Sequence, residues 1–232
     1  MSENDVLAAL APEGGRHGHV DDVSDTAVRI MLAAADAFAE HGFPSTTTRD
    51  IASRAGLSPA GVYVHFASKE VLLFELSRRG HARARDLLVD AARSAPSPGE
   101  ALRSIIGGFS RWHAEHHQLG RIVQFEFRHL GPEHRDAVLD LRKEIDQVVA
   151  GVLRDGVESG EFSVPDVPGT ALALLSMAID VSRWYTPGVR RAPEDIERLY
   201  GELAVRLVST PFAVDPDTLA APDRPGRRAP RC

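Results

Sequence analysis

Cysteine is almost missing from this chain: the single one, Cys232, is the last residue, so no internal disulfide can form and a reducing, cytoplasmic setting is expected. Lysine is nearly as scarce, with only Lys69 and Lys143 among 27 basic residues, a bias that fits genome composition better than arginine-specific chemistry. No run of eighteen apolar residues occurs; the stretch Ala171 to Ile179 reads as a buried helix, and no membrane partner is expected. The N-terminus lacks a basic flank followed by an apolar segment, which argues against a secretory signal. Strand signals are lacking, so the expected class is all-α. There is no glycine-rich phosphate loop and no Ser-His-Asp or Cys-His set, so neither an enzyme nor a bound cofactor is expected. Positive charge is also short. The formal net charge is −6, and between Val20 and Glu70 the cations Arg29, Arg49, Arg54 and Lys69 face Asp21, Asp22, Asp25, Asp36, Glu40, Asp50 and Glu70. Nucleic-acid binders usually carry a basic footprint, so any DNA affinity here has to come from local placement of donors rather than from bulk charge.

What the chain does contain is a dense run of helix punctuation between Ser45 and Glu70. Thr47 is an N-cap with Asp50 three places later, and Ile51, Ala52 and Ala55 form the inner face of a short helix. Gly56 stops it, because a left-handed residue is needed to reverse in so little chain. Leu57 pins the turn. Ser58 and Pro59 form an N-cap and first-turn proline for a second helix, whose start carries only the small Ala60 and Gly61. Val62 and Phe66 face inward, four apart, while Tyr63 and His65 face outward. Ser68 caps a third helix, and Lys69 stands at its positive end, where an acid would be favoured, so it is expected to meet a phosphate. Two short capped helices around a tight turn make a helix-turn-helix.

The series Thr-Thr-x-Asp-Ile-Ala…Ala-Gly-x-Ser…Gly-x-Tyr-x-His-Phe-x-Ser-Lys-Glu, within Asp25 to Leu76, resembles the DNA-binding signature of the TetR/AcrR transcriptional regulators. The resemblance implies an all-helical homodimer on a double-stranded DNA operator, with a three-helix N-terminal DNA-binding domain and a C-terminal helical ligand-binding and dimerisation domain. It further implies that Thr47, Thr48, Tyr63, His65 and Lys69 touch phosphates while Ser58, Ala60, Gly61 and neighbours such as Pro59 face base edges. Arg49 joins the local donors.

Residues 1–21 read as a flexible arm, 22–68 as the DNA-binding domain, 69–212 as the effector and dimerisation domain, and 213–232 as a disordered basic tail. The first helix is expected from Val23 to His41 with Gly42 as its stop, and a linking helix from Lys69 to about Ala92. Helices then follow from about Gly99 to His117, Leu119 to Leu130, Pro132 to Ser159, Gly169 to Thr186 and Pro193 to Thr210. Leu172, Leu175, Ile179 and Ser182, with Ile196, Leu199, Leu203 and Leu207, form apolar stripes on the last two helices and are expected to build the dimer surface.

In the effector domain, Trp112, Phe125, Met177 and Trp184 supply aromatic or soft surface, and Arg121, Gln124, Arg128 and Arg183 place polar groups among them. The segments His116-His117…Arg121-Ile122-Val123, Val157 to Phe162 and Arg183-Trp184-Tyr185-x-Pro187-Gly188 are similar to TetR-type repressors of sterol and fatty-acid breakdown. That similarity implies a small apolar or acyl-CoA ester effector. His113, His116 and His117, at i, i+3 and i+4, leave open a metal-sensing alternative, and a helical adaptor without DNA binding is the remaining one.

Overall fold

The computed structural model describes residues 25–188 and 191–209. Among them the chain forms α1 (Asp25–Ser45), α2 (Thr48–Arg54), α3 (Pro59–His65), α4 (Lys69–Ser94), α5 (Pro98–Glu115), α6 (His117–Phe125), a 3-10 turn (Phe127–His129), α7 (Pro132–Ser159), α8 (Val167–Trp184) and α9 (Pro193–Ser209), with no strand. The expected arm and the expected tail lie outside the described residues.

Capping explains most of these boundaries. Ser68, Ser97 and Asp166 accept hydrogen bonds from the third amide of α4, α5 and α8, and Pro98 and Pro132 occupy first turns. Gly42 breaks α1 at φ 74°, as its expected role as a stop requires. The helix expected from Leu119 to Leu130 is shorter: α6 ends at Phe125, and Phe127–His129 tightens into a 3-10 turn. Leu130 and Gly131 are then extended, and at Gly131, next to Pro132, the clash with the proline ring favours that backbone.

The core has two main parts. One packs α1, α2 and α3 with Leu72, Leu73 and Leu76 of α4, and takes Leu119, Ile122 and Val123 from α6. The other packs Ala84 and Leu88 of α4 with α5, α7, α8 and α9. The 26-residue α4 therefore belongs to both parts, and so carries position from one to the other.

Two glycines let α5 and α9 touch. A Cβ on Gly107 would lie 2.7 Å from the Glu197 carbonyl oxygen, and one on Gly201 would lie 2.8 Å from the Arg103 carbonyl oxygen. A third, Gly120, brings α6 against α8, where a Cβ would be 2.8 Å from Ser182 Cβ.

Candidate DNA-reading face and effector cavity

The turn between α2 and α3 is built as its residues demand. Thr47 Oγ1 accepts from the Asp50 amide at 3.2 Å and Asp50 Oδ2 accepts from the Thr47 amide at 2.9 Å, a reciprocal box that sets the start of α2. Gly56 turns the chain at φ 66°, and Ser58 Oγ accepts from the Gly61 amide at 3.1 Å. Ile51, Ala52, Val62 and Phe66 are buried under this turn. Thr47, Arg49, Ser58, Pro59, Ala60, Tyr63 and His65 are left exposed, with Thr48 and Gly61 half-buried beside them. Tyr63 Oη lies 3.4 Å from Thr48 Oγ1, joining the two helices across the face. Val64 is 80% exposed on the same short helix. Its apolar character hid it from a reading that sought polar contacts.

Lys69 is held within the protein. Its ammonium donates to the carbonyls of Phe43 (2.7 Å), Pro44 (3.2 Å) and Thr46 (2.7 Å), and it lies 4.5 Å from the centre of the Phe43 ring. An ammonium has three donors, and all are taken by the end of α1. In this structure Lys69 locks α4 to α1.

Where the two parts of the core meet, a cavity of about 220 Å³ opens. Gly80, His81 and Ala84 of α4 and Phe109, Trp112 and His113 of α5 line its buried side. Gly120, Val123 and Gln124 of α6 form one wall. Its exposed lining residues are Asp146 on α7 and Leu172 and Ser176 on α8, so the mouth lies between those two helices.

The polar lining is arranged rather than incidental. His81 Nδ1 donates to the Ser77 carbonyl (2.7 Å), which leaves Nε2 to accept from Arg142 Nε at 3.1 Å. His113 Nδ1 donates to the Phe109 carbonyl at 2.9 Å. Burial pushes both imidazoles down to about 4, helped at His81 by the Arg142 charge and at His113 by His116, so both are neutral. Trp112 is buried, and its Nε1–H has no hydrogen-bond partner.

Residues 30–76 match the family described as bacterial regulatory proteins, tetR family, and residues 95–208 match a tetracyclin repressor-like C-terminal domain. The chain is 33% identical over 178 residues to the HTH-type transcriptional repressor KstR2 of Mycobacterium tuberculosis, covering 74% of this chain and 86% of that protein. The chain belongs to the TetR family. A solved tetR-family regulatory protein from Rhodococcus RHA1 superposes with a TM-score of 0.76 at 35% identity, over 80% of this chain and 98% of that one. The structure of KstR2, described as a ketosteroid transcriptional regulator, superposes with a TM-score of 0.73 at 28% identity, over 83% and 98%. The fatty acid metabolism regulator protein of Bacillus subtilis is 25% identical over 135 residues, 58% of this chain and 70% of that one. Members of this family are DNA-binding transcriptional regulators, not enzymes.

For this TetR-family regulator, the structure brings Trp112 and Gln124 to the cavity and leaves the other expected effector residues elsewhere. Arg183 pairs with Asp180 at 2.6 and 2.8 Å and its side chain is 63% exposed, because α8 has run past the cavity by that turn. Arg121 donates to the Ser182 and Tyr185 carbonyls (2.9 and 3.0 Å), capping the end of α8. It also borders a groove with the exposed Phe125, between α6 and α1. Arg128 is exposed on the 3-10 turn, and Met177 and Trp184 pack partly buried against the core. The cation that lines the cavity is Arg142 on α7, a residue that no sequence pattern singles out.

The histidine alternative does not assemble. Among the described residues no group of three or more His, Cys, Asp or Glu side chains is placed to hold an ion. His113 and His117 turn Nδ1 onto the Phe109 and Ala114 carbonyls.

The two neutral histidines make a pH prediction. An imidazole held near 4 when folded binds its proton at about 6.5 when unfolded. Above 6.5 neither state is protonated. As pH falls from about 6.5 towards about 4 the unfolded chain takes up protons that the native chain refuses, so stability is lost over that window. Urea melts at pH 7 and pH 5 are expected to show the loss, and a His81→Gln, His113→Gln double variant is expected to show a smaller one. An equal loss in the variant would assign the acid sensitivity to other groups.

Proposed function

We propose that this protein is a repressor released from a palindromic operator by a small effector, an apolar compound or an acyl-CoA ester, bound in the cavity of α4 to α8. The observation that carries the reading is the position of α6. Gly120, Val123 and Gln124 line the cavity, while the segment that follows α6 grips the DNA-binding helices. Glu126 Oε1 accepts from the Phe43 amide at 3.3 Å, and His129 stacks on the Phe43 ring at 5.1 Å. At the start of α4, Glu70 accepts from the Gly131 amide (2.8 Å) and meets His134 Nδ1 at 2.9 Å. An occupant that moves α6 therefore moves the end of α1, and a ligand shifts the DNA-binding geometry only through such differential contacts. The acyl-CoA class rests on the similarity of the C-terminal segments to lipid-breakdown repressors, and on relatives named for ketosteroid and fatty-acid regulation.

On the DNA side, this reading assigns Thr47, Thr48, Arg49, Tyr63 and His65 to phosphates, and Ser58, Pro59, Ala60 and Gly61 to base edges; the exposure of most of them on one face supports it. Val64 joins this second group, since an exposed apolar side chain suits a thymine methyl. Replacing Arg49 and Tyr63 with alanine is expected to weaken operator binding at every sequence and to flatten its salt dependence. An unchanged salt slope would remove both from the phosphate contacts. The test of the whole reading is a mobility shift on the chain's own upstream DNA, with and without CoA esters. No shift on any such fragment would sink the operator; a shift that no ester reverses would sink the effector class.

The dimer surface falls mainly on α9. Leu199, Leu203 and Leu207 are exposed at a spacing of four, with Ile196 turned into the core. Of the stripe expected on α8, Leu175 and Ser182 are buried, Ile179 is half-buried and Leu172 is 64% exposed, and Leu172, Leu175 and Ile179 line the cavity. Leu203→Glu is expected to give a folded monomer by sedimentation, with operator binding reduced because two half-sites need two reading heads. A variant that remains a dimer would place the interface elsewhere.

A further inference from the structure

One side chain touches three of the elements that lie between the cavity and the reading head. Arg142 of α7 is half-buried and lines the cavity. Its Nε–H donates to His81 Nε2 on α4 at 3.1 Å, and its Nη2 group reaches the Val123 carbonyl and Gln124 Oε1 on α6 at 3.5 and 3.4 Å. The guanidinium carbon lies 4.3 Å from the centre of the Phe127 ring, in the 3-10 turn. Phe127 packs against the part of the core that holds α1 to α3, and Glu126 and His129 on either side of it grip Phe43.

For a cation in such a place the hold is weak. An imidazole nitrogen, a carbonyl, an amide oxygen and a ring face are all neutral, and the two contacts on α6 are long for N–H···O bonds. Burial disfavours the guanidinium, and the Asp146 carboxylate, one turn further along α7, offsets part of that cost. A guanidinium stays charged in a protein and carries five N–H donors in one plane, so it can change acceptors without changing protonation. The His81 bond is the short one. It ties Arg142 to α4, while the grip on α6 and on Phe127 is the part that is lost most cheaply.

Resting on the effector reading above, we propose that Arg142 is the positioning residue that couples the cavity to DNA binding: its contacts with α6 and Phe127 hold the 3-10 turn in the operator-binding arrangement, and an occupant that reaches this wall moves the guanidinium off them. Losing the grip on Phe127 frees the turn that carries Glu126 and His129, and with it the end of α1 at Phe43. The coupling then belongs to the charge and the plane of one side chain and does not depend on the class of the occupant.

The first arm of the test needs no ligand. Affinity of the full-length protein for the chain's own upstream DNA is measured by fluorescence anisotropy. Arg142→Met, which keeps an unbranched side chain and loses the charge, is expected to bind roughly tenfold more weakly than wild type, within the usual span of about 5–150-fold for coupling between two sites. Phe127→Leu leaves Arg142 in place and removes the ring face, and is expected to weaken binding to a similar extent. The double variant is expected to lose no more than either single one, because the two residues act through one contact. Arg142→Lys keeps a cation that can sit over the ring but lacks the fork, so it is expected to restore part of the affinity. A side chain that only supported the fold would give additive losses and no rescue by lysine. Additive losses, an unimproved lysine variant or normal affinity in Phe127→Leu would each overturn the proposal, and the last two remain decisive if Arg142→Met fails to fold in a circular dichroism melt.

The second arm adds cyclohexanecarbonyl-CoA or stearoyl-CoA as release probes. Where an ester releases wild type from the DNA, the factor by which it lowers affinity is expected to shrink towards one in Arg142→Met. Release at full strength from the weakened variant would overturn the proposal. Normal ligand-free affinity with release lost would also overturn it, by reducing Arg142 to a ligand contact. If neither ester releases wild type, the ester class falls, and the ligand-free affinities of the variants still uphold or overturn the role of Arg142.

Discussion

A Gly61→Leu protein is expected to fold and to lose operator binding by about a hundredfold, a change near 3 kcal/mol. A Cβ at Gly61 would lie 3.5 Å from Ser58 Oγ and 3.7 Å from Leu57 Cβ, ordinary contacts that the turn accepts. Leucine is also the better helix former, so α3 itself does not suffer. The rest of the side chain has to go outward, between α3 and the groove, and would hold the reading head away from the duplex. Phosphate contacts on both sides of the helix are then lost together, which is why one residue has so large an effect. Fluorescence anisotropy on a labelled operator measures the affinity, and a circular dichroism melt checks the fold. Near-normal affinity in a folded variant would mean that the exposed face of α2 and α3 is not what meets DNA.

Gly201→Leu is expected to act on the fold itself. The added Cβ would meet the Arg103 carbonyl oxygen at 2.8 Å and Arg103 Cγ at 2.9 Å. A backbone oxygen cannot step aside as a side-chain tip can, so α9 has to move off α5. Overpacking of this kind costs about 3 kcal/mol or somewhat more. At roughly 2–4 °C per kcal/mol for a chain of this size, the melting temperature should fall by about 6–12 °C. Because α9 also carries Leu199, Leu203 and Leu207, dimerisation is expected to fail with it. Gly108→Ala serves as the control, since a Cβ there finds Leu87 Cδ2 at a comfortable 3.8 Å. An unchanged melt for Gly201→Leu would show that α5 and α9 are less tightly fixed than their backbones suggest.

Lys69 and Arg183 show where sequence reasoning loses its hold. At the start of a helix a cation is out of favour, and a phosphate would explain Lys69. Its partners are the carbonyls of residues 43, 44 and 46, more than twenty positions earlier, and no local rule points to them. Arg183 stands beside Trp184 and Tyr185 in sequence, yet its partner is Asp180, one turn back. In the cavity the reverse happened. No local pattern singles out Arg142 or His81 on their two long helices, and they become a hydrogen-bonded pair, His81 buried and Arg142 half-buried, because α7 packs on α4 at that level. Trp112 was legible as an aromatic in the effector domain, but not as an unpartnered donor.

The helix-turn-helix, its caps at Thr47, Ser58 and Ser68, its turn at Gly56 and its outward Tyr63 and His65 were determined by the sequence alone, because capping, helix reversal and face periodicity are settled within about four residues. The all-α class and nearly every helix boundary follow for the same reason. Which side of α8 faces the cavity, which arginine reaches it, where Lys69 ends and how α6 links the cavity to Phe43 were decided only by the tertiary structure. Those outcomes depend on the rotation and crossing of helices far apart in the chain, set by close approaches such as those at Gly107, Gly120 and Gly201, and no local pattern encodes them.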